Sequence, residues 1–575
     1  MLYRNKPSRL SIFSLFLVLT IWLYSAVNLQ ADDFPPLTIP PIGPVRIPAE
    51  FEPMQAIIIN SFRQRDKMEE VFLSDVCEDV NLIVMCDTER QIDNSKTACT
   101  KWGIDIDKCT FILGPFMATP RDGFPWFMFV DNNEPAFVYN QYCAEPNCVS
   151  RNTILYGLEQ GYSVHRSGLN VDGGNFMTDG QGTAVSLDGV YLDNSDLLED
   201  PNDIIGQYWG VHTYHFIPND EYYPNGYLHI DCLAKYLSPD TIMVARVPST
   251  DANYEQSEAT AAYFSRQISC YGTPYHIVRV DIPDREPYVN SLIVNHKVYI
   301  PIMDRPADVN AIASYQAAMP GYEIVGISNP LGDGLSMWLP FWALHCDTMG
   351  IADEQMIYIE HVPVLDCPAT AEGYPIIAKI VAYSGQPFIE GTPTVRWKIE
   401  GHENWNDLPL TQRDDLGDDK YAAMIPTQPI GTVIQYYLHA KDASGRSENH
   451  PYIGAPQAHT FTVKPFGANV SAISTSKGGT INFYFNAGTD NAQEDYNIQT
   501  TLTIKDPNTL PEELPETLVF TDFQGSLDDS GFASAELFLP ETLPADWVEG
   551  VLHFDFILEQ LQERVVDRVT IQILE

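Results

Sequence analysis

Hydrophobic and polar positions change their pattern several times along the chain, and each change marks a different kind of structure. Leu10 to about Val27 is a continuous apolar run behind Arg4, Lys6 and Arg9, and polar, acidic chain follows from Ala31. That layout reads as a secretory signal over residues 1–31, with candidate cleavage after Ala26 or Ala31, leaving an exported chain with no other stretch long enough to cross a membrane. Pro35, Pro36, Pro40, Pro41, Pro44 and Pro48 then make an extended lead-in. From Glu52 to about Pro363, β-branched runs such as Ala56–Ile59, Asn81–Val84 and Thr241–Ala245 alternate with helix-like stretches, which predicts an α/β domain.

Past Cys367 the period shortens to that of strands. Thr394–Ile399, Tyr421–Ile425, Thr432–Leu438 and His459–Val463 are separated by turn residues such as Asp442-Ala-Ser-Gly445, the texture of a β-sandwich. From about Pro465, Thr480–Phe485, Ile498–Ile504 and His553–Ile557 predict a further all-β unit. Neither β region carries a reactive constellation, and both read as surface or spacer modules.

Charge narrows the partners. With 33 basic against 77 acidic residues, a net charge of −44 and a pI of about 4.4, the long-range field repels a phosphate backbone, which argues against nucleic acid as a partner and favours cationic ligands. A structural calcium ion is compatible with such acidity, but no residue spacing indicates one. Ten cysteines lie at 77, 86, 99, 109, 143, 148, 232, 270, 346 and 367. In an exported chain the close pairs Cys77 with Cys86, Cys99 with Cys109 and Cys143 with Cys148 could close loops, while a cysteine outside any bridge is a candidate nucleophile.

Polar residues at the ends of hydrophobic runs mark where an α/β sheet places its chemistry. Arg121 and Asp122 sit by a Pro and Gly turn and read equally as a local ion pair. In an extended strand His229 and Asp231 would share one face, with Cys232 turned away toward core or a disulfide. Gly173 and Gly174 follow Asp172 and permit close backbone approach. Asn290 precedes a strand, and Cys346 follows His345 near the end of the domain. Successive intervals from Asp122 to Asp172, His229, Asn290 and Cys346 are 50, 57, 61 and 56 residues, consistent with one supersecondary unit used about five times around a shared pocket.

These motifs resemble the guanidino-group-modifying enzymes, and among them the secreted bacterial peptidylarginine deiminases, with agmatine deiminases a more distant branch. The strings that carry the resemblance are Arg121-Asp122 with Pro125-Trp126-Phe127, Gly173-Gly174-Asn175 through Gly180, His229-Ile-Asp-Cys232, Tyr288-x-Asn290-Ser-Leu292 and Leu344-His-Cys346. The stretch from Tyr436 to Ala455 is similar to the immunoglobulin-like domain of such enzymes. The resemblance implies a five-bladed, pseudo-symmetric α/β propeller over 32–364, an immunoglobulin-like β-sandwich over 365–464 and a further all-β domain over 465–575. It implies hydrolysis of peptidyl-arginine to citrulline, with Cys346 as nucleophile, His229 as general acid and base, and Asp122 and Asp231 as the guanidinium-binding carboxylates. Asn290, Trp126 and Arg121 are expected to contact substrate, with Asp172 and Asn175 in support, and no metal or organic cofactor is required. The implied partners are arginine-containing peptides or proteins.

Two positions depart from the relatives: Thr119 or Pro120 stands where a stacking Trp is usual, and Asp347 follows the nucleophile. Gln141, Tyr142 and Cys143 replace arginines that in the bacterial relatives clasp a peptide's terminal carboxylate, so internal arginine is expected to be accepted. Three other readings stay open: a deiminase of a small guanidino compound such as agmatine, a cysteine protease or acyl transferase using Cys346, His229 and Asp231, and a non-catalytic surface protein on the same fold.

Overall fold

The structure is a computed structural model that describes residues 37–574 apart from internal stretches, the longer of which are 140–150, 219–228, 487–494, 505–516 and 540–548. The expected signal segment and the Gln141–Cys143 positions lie outside the described residues.

Between Val45 and Ala352 one unit recurs five times. In each, a short strand pairs antiparallel with a second, and a helical crossover leads to a third strand lying parallel to the second. Trp126–Val130, Glu134–Tyr139 and Ser163–Arg166 follow this plan, as do Met177–Thr178, Thr183–Leu187 and Thr213–Ile217. Ala234–Ser238, Thr241–Arg246 and His276–Asp281 repeat it, and so do Leu292–Val294, Lys297–Ile302 and Glu323–Ser328. The fifth unit joins the two ends of the region: Thr348–Ala352 pairs antiparallel with Met54–Asn60, which runs parallel to Asn81–Cys86, itself parallel to Cys109–Leu113.

The local reasons are ordinary. Helices pack on sheets built this way, so a middle strand such as Thr241–Arg246 is buried on both faces and its central residues are apolar throughout. The hairpin between Val294 and Lys297 turns at Asn295, whose φ of 52° lies in the left-handed region that Asn tolerates best after Gly. The helix Glu89–Trp102 starts on a Thr88 capping box with Gln91 and stops at Gly103 in the left-handed conformation.

Two further sheets enclose a core of their own. Ile357–Glu360, Tyr374–Ala382, Lys420–Ile425 and Thr411–Gln412 form one; Cys367–Pro368, His459–Lys464, Val433–Lys441, Thr394–Ile399 and Asn406–Pro409 form the other, with Ser447–His450 also paired to Val433–Lys441. Tyr374, Ile376, Ala378 and Ile380 alternate inward with period 2 against Tyr436, Leu438 and Phe461. This sandwich takes in Ile357–Glu360, upstream of the boundary expected at 365. It is joined to the α/β region by a bidentate Arg446–Asp353 pair at 2.6 and 2.8 Å and by Tyr271, whose hydroxyl is 3.2 Å from His450 Nε2. Beyond it, Thr480–Asn486 pairs with Phe532–Phe538, and Glu549–Leu558 lies between Asp495–Ile504 and Glu563–Leu574.

Two expectations need correction. The extended strand through His229 and Cys232 is a single 3-10 turn, Ile230–Cys232, and the strand starts at Ala234; the turn breaks the alternation of faces on which the placement of Cys232 rested. Cys77, Cys86, Cys99, Cys109, Cys232, Cys270, Cys346 and Cys367 are not joined in disulfides, and the sulfurs of Cys99 and Cys109 are 3.9 Å apart. Cys143 and Cys148 lie outside the described residues.

Candidate functional site

Each motif singled out in the sequence arrives at the same place in its repeat, a few residues ahead of the first strand. Pro120–Gly123 precedes Trp126–Val130, Gly173–Asn175 precedes Met177, Ile230–Cys232 precedes Ala234, Asn290 precedes Leu292 and Cys346 precedes Thr348. The regular spacing is thereby explained: the same loop of five similar units delivers side chains to one place.

The glycines show how close these loops come. A Cβ on Gly173 would lie 1.8 Å from the Arg121 carbonyl oxygen, an impossible contact. At Gly174 an added Cβ would sit 2.6 Å from His229 Nδ1, 3.1 Å from Asp231 Oδ2 and 3.4 Å from Asp122 Oδ1. One histidine nitrogen and two carboxylate oxygens therefore converge on a point that any side chain at 174 would fill.

Asp122 is held by Thr119, whose hydroxyl donates to Oδ2 at 2.8 Å, and by the Gly174 N–H, which donates to Oδ1 at 3.0 Å. Burial pushes its pKa upward and outweighs the pull of His229 and the Gly174 N–H. Asp231 is shifted the other way. Its burial also favours the neutral form, but the His345 hydrogen bond and the charges of His345, His229 and Arg121 prevail. The His345 Nδ1 to Asp231 Oδ2 distance is 2.8 Å. His229 Nε2 lies 2.8 Å from Asp172 Oδ2; burial alone would lower its pKa, but Asp172, Asp231 and Asp122 together lift it to about 10, so the imidazole is charged at neutral pH.

Cys346 is 6% exposed, its sulfur 3.6 Å from Asp231 Oδ2 and 3.3 Å from Asn290 Nδ2. The Asn290 carbonyl oxygen accepts from the backbone N–H groups of His345 and Cys346 at 3.1 and 3.3 Å, so this one amide fixes both the loop and the thiol. Asn175 works similarly at a distance, accepting from Leu187 N–H at 2.8 Å and Ile230 N–H at 3.3 Å. Asp347 accepts from Trp342 Nε1 at 2.9 Å.

Arg121 and Trp126 take other places. Arg121 is buried, with Nε donating to the His345 carbonyl at 3.3 Å and NH2 paired to Glu50 at 3.4 Å, so it neither pairs with Asp122 nor has its charge directed at a ligand. Trp126 packs edge-on to Phe176 at 5.0 Å within the core. Each is thus committed to protein partners, Arg121 to Glu50 and the His345 carbonyl and Trp126 to Phe176.

Three charged or polar residues of this cluster went unassigned in the sequence. Glu50 Oε2 is 2.6 Å from His345 Nε2, and Glu50 Oε1 is 2.7 Å from Lys235 Nζ. His345 lay inside a recognised string, whereas Glu50 sits just past the Pro-rich lead-in and Lys235 on an apolar strand, with no local signal for either. Cys232, expected to face away, has its sulfur 3.4 Å from Asp231 Oδ1 and 3.7 Å from Asn290 Nδ2.

The model of the Porphyromonas-type peptidyl-arginine deiminase family matches residues 46–350, just over half of the chain. The chain belongs to this family. The agmatine deiminase of Pseudomonas putida (strain ATCC 700007) is 24% identical over 223 residues, covering 33% of this chain and 59% of that protein, and the agmatine deiminase of Pseudomonas syringae pv. syringae is 24% identical over 213 residues, covering 32% and 56%. The chain thus spans less than two thirds of the length of these curated relatives. The solved agmatine deiminase of Enterococcus faecalis aligns at 16% identity with a TM-score of 0.44, over 54% of this chain and 96% of its own. The family match spans all five loops that meet at Gly174 and Cys346.

Proposed function

We propose that this protein hydrolyses a guanidinium to a ureido group with release of ammonia, and that its substrate is arginine within a peptide or protein. The observation that carries the reading is the convergence of Asp122, Asp231 and His229 on one point, with the Cys346 thiol beside Asp231. A guanidinium is planar and permanently charged; two carboxylates hold its nitrogens, and attack on its central carbon needs a strong nucleophile.

In the proposed route the Cys346 thiolate, steadied by the substrate's charge, attacks the guanidinium carbon. Charged His229 gives its proton to the departing ammonia, which leaves a covalent thiouronium. Neutral His229 then takes a proton from water, hydroxide adds to the same carbon, and the thiolate leaves while the added hydroxyl gives up its proton to solvent, forming the neutral ureido product and leaving His229 charged again. Asp172 holds His229, and Asn290 holds Cys346. Nothing in this sequence of steps requires a metal or an organic cofactor.

We further read the five units as blades of an α/β propeller beginning near residue 32, the sandwich from Ile357 to Lys464 as immunoglobulin-like, and 465–575 as a separate β module. Export by the N-terminal segment suits a macromolecular substrate. A deiminase of agmatine is the second reading, favoured by the names of the Pseudomonas relatives. Incubation with an internal-arginine peptide, agmatine and free arginine, followed by assay of ureido product and of peptide cleavage, tests both. Highest kcat/KM on the peptide is expected; highest on agmatine replaces the first reading by the second, and cleavage without ureido product overturns both.

A further inference from the structure

One buried nucleophilic group has no part in the route above. Cys232 lies beside Cys346 at the floor of the site, and the donor atoms of Asp231, Cys232 and Cys346 all fall within 4.8 Å of one another. Asp231 Oδ1 is 3.4 Å from the Cys232 sulfur, and Oδ2 is 3.6 Å from the Cys346 sulfur. A tetrahedral zinc ion with bonds of about 2.3 Å to sulfur and about 2.1 Å to oxygen holds its donors about 3.6–3.8 Å apart. The Asp231 carboxylate thus meets each sulfur at close to that spacing, through Oδ1 for Cys232 and Oδ2 for Cys346, and one donor atom from each of the three residues lies within 4.8 Å of the others.

We propose that Cys346, Cys232 and Asp231 form a binding site for a thiophilic divalent cation, Zn2+ or Cd2+, that competes with the substrate guanidinium. Two sulfur donors select such ions over calcium or magnesium, which prefer all-oxygen shells. Three protein ligands leave the fourth position for water, as in an open zinc site. The donors are oriented in advance: Asn290 Nδ2 reaches both sulfurs, at 3.3 and 3.7 Å, and His345, backed by Glu50, holds the Asp231 carboxylate. On binding, one cation enters and the two thiol protons leave to solvent, so the charge at the floor of the site is unchanged when both thiols start neutral. The ion occupies the nucleophile and one guanidinium carboxylate together, so bound metal and substrate exclude each other. That exclusion rests on the proposed function; the site itself does not.

The test uses the full chain, reduced with a non-thiol reductant and stripped of metal. Zn2+ is titrated by calorimetry, and Cd2+ by its thiolate-to-metal absorption in the ultraviolet. The expected result is one tight ion per chain with the absorption of two thiolates. Cys232→Ala and Cys346→Ala should each halve that absorption and weaken binding by about a hundredfold or more, and Asp231→Asn should weaken it by about tenfold or more. A Cys99→Ala, Cys109→Ala double variant controls for the other close thiol pair and should leave the titration unchanged. Absorption retained in Cys232→Ala, or lost in the Cys99 and Cys109 variant, overturns the proposal. Where a variant melts early, Cys232→Ser gives the same reading with smaller change of shape. Because binding is measured without substrate, an inactive protein that still binds one ion refutes the proposed function and leaves the metal site standing. In active protein, Zn2+ should raise KM for the preferred substrate without lowering kcat at saturation.

Discussion

Two histidines in this molecule each face a carboxylate at 2.8 Å, and they are placed for different work. His229 and Asp172 have side chains 23% and 33% exposed, whereas His345 and Asp231 are 2% and 1% exposed. The open pair is bordered by Asp122 and the space over Gly174, where protons can be passed to and from a ligand. The buried pair is bordered by Glu50, Lys235 and Arg121, and its hydrogen bonds at both ring nitrogens leave His345 no free position. The same contact distance therefore describes a solvent-reachable pair, which the proposed route uses as its proton carrier, and a fully committed one that braces the network, and solvent access with the number of committed partners separates them.

The comparison breaks most visibly if the buried side is not structural. Asp231→Ala strands His345 and removes the negative partner facing Cys346, and its expected cost is about 3–5 kcal/mol of unfolding free energy together with loss of turnover. Urea denaturation followed by circular dichroism measures the first; an unchanged midpoint would mean the network carries no weight.

Next in size is the contrast between the histidines. His229→Gln should lower kcat by about 10²–10⁴-fold, and its stability should match the parent's to within about 1 kcal/mol when both are compared near pH 10, where the protonated pair no longer contributes. His345→Gln should cost about 1–3 kcal/mol of stability by leaving buried carboxylate oxygens short of a donor. Melting and turnover measured on both variants must separate in these opposite directions; equal losses of stability would dissolve the distinction.

The open pair also sets a pH limit. His229 has its pKa lifted to about 10 in the fold, against about 6.5 unfolded. Its pairing therefore stabilises the fold fully below pH 6.5 and loses that contribution as pH rises toward 10, and its capacity to act as an acid disappears over the same alkaline limb. In Asp172→Asn the alkaline limb of kcat/KM should move down by about one unit or more. A limb that stays put in that variant would assign it to another group.

Histidines without carboxylates sharpen the contrast from the other side. His361 and His450 are buried and His459 is half-buried beside them, between the sandwich sheets and Tyr271, with His450 Nδ1 3.0 Å from His459 Nε2. Burial lowers His361 to about 4, burial and the His361 charge lower His450 to about 3, and His459 moves in the same direction. Their contribution is complete above pH 6.5 and declines as pH falls toward 4, because the unfolded chain then binds protons that the fold refuses. One unit below 6.5, the loss should be about 1 kcal/mol per histidine, read as a falling urea midpoint for the sandwich; a midpoint flat from pH 7 to 5 would contradict it.

Much of the site could be read along the chain because its parts are local. Hydrophobic runs ending in Asp122, Asn290 or Cys346 mark strand boundaries, and Gly173-Gly174 marks a close approach, since a loop that must touch another backbone has no room for Cβ. The sandwich strands were equally plain, alternating apolar and polar residues with period 2. The 3-10 turn at Ile230–Cys232 was not, because a short run with β-branched and polar residues fits strand or turn until its neighbours are known.

What the amino-acid sequence alone determined is the set of elements and the rhythm with which reactive residues recur, both consequences of short-range backbone and packing preferences. Tertiary structure decided which of those residues act on one another. Glu50 reaches His345 across 295 positions and Asp231 reaches Cys346 across 115, and no local pattern encodes such contacts. Arg121 and Trp126 stood in a recognisable motif, but only the fold shows that they meet Glu50, the His345 carbonyl and Phe176. Cys232 was brought up to the site, because a buried charge or thiol goes where partners close around it, and those partners come from other turns of the fold.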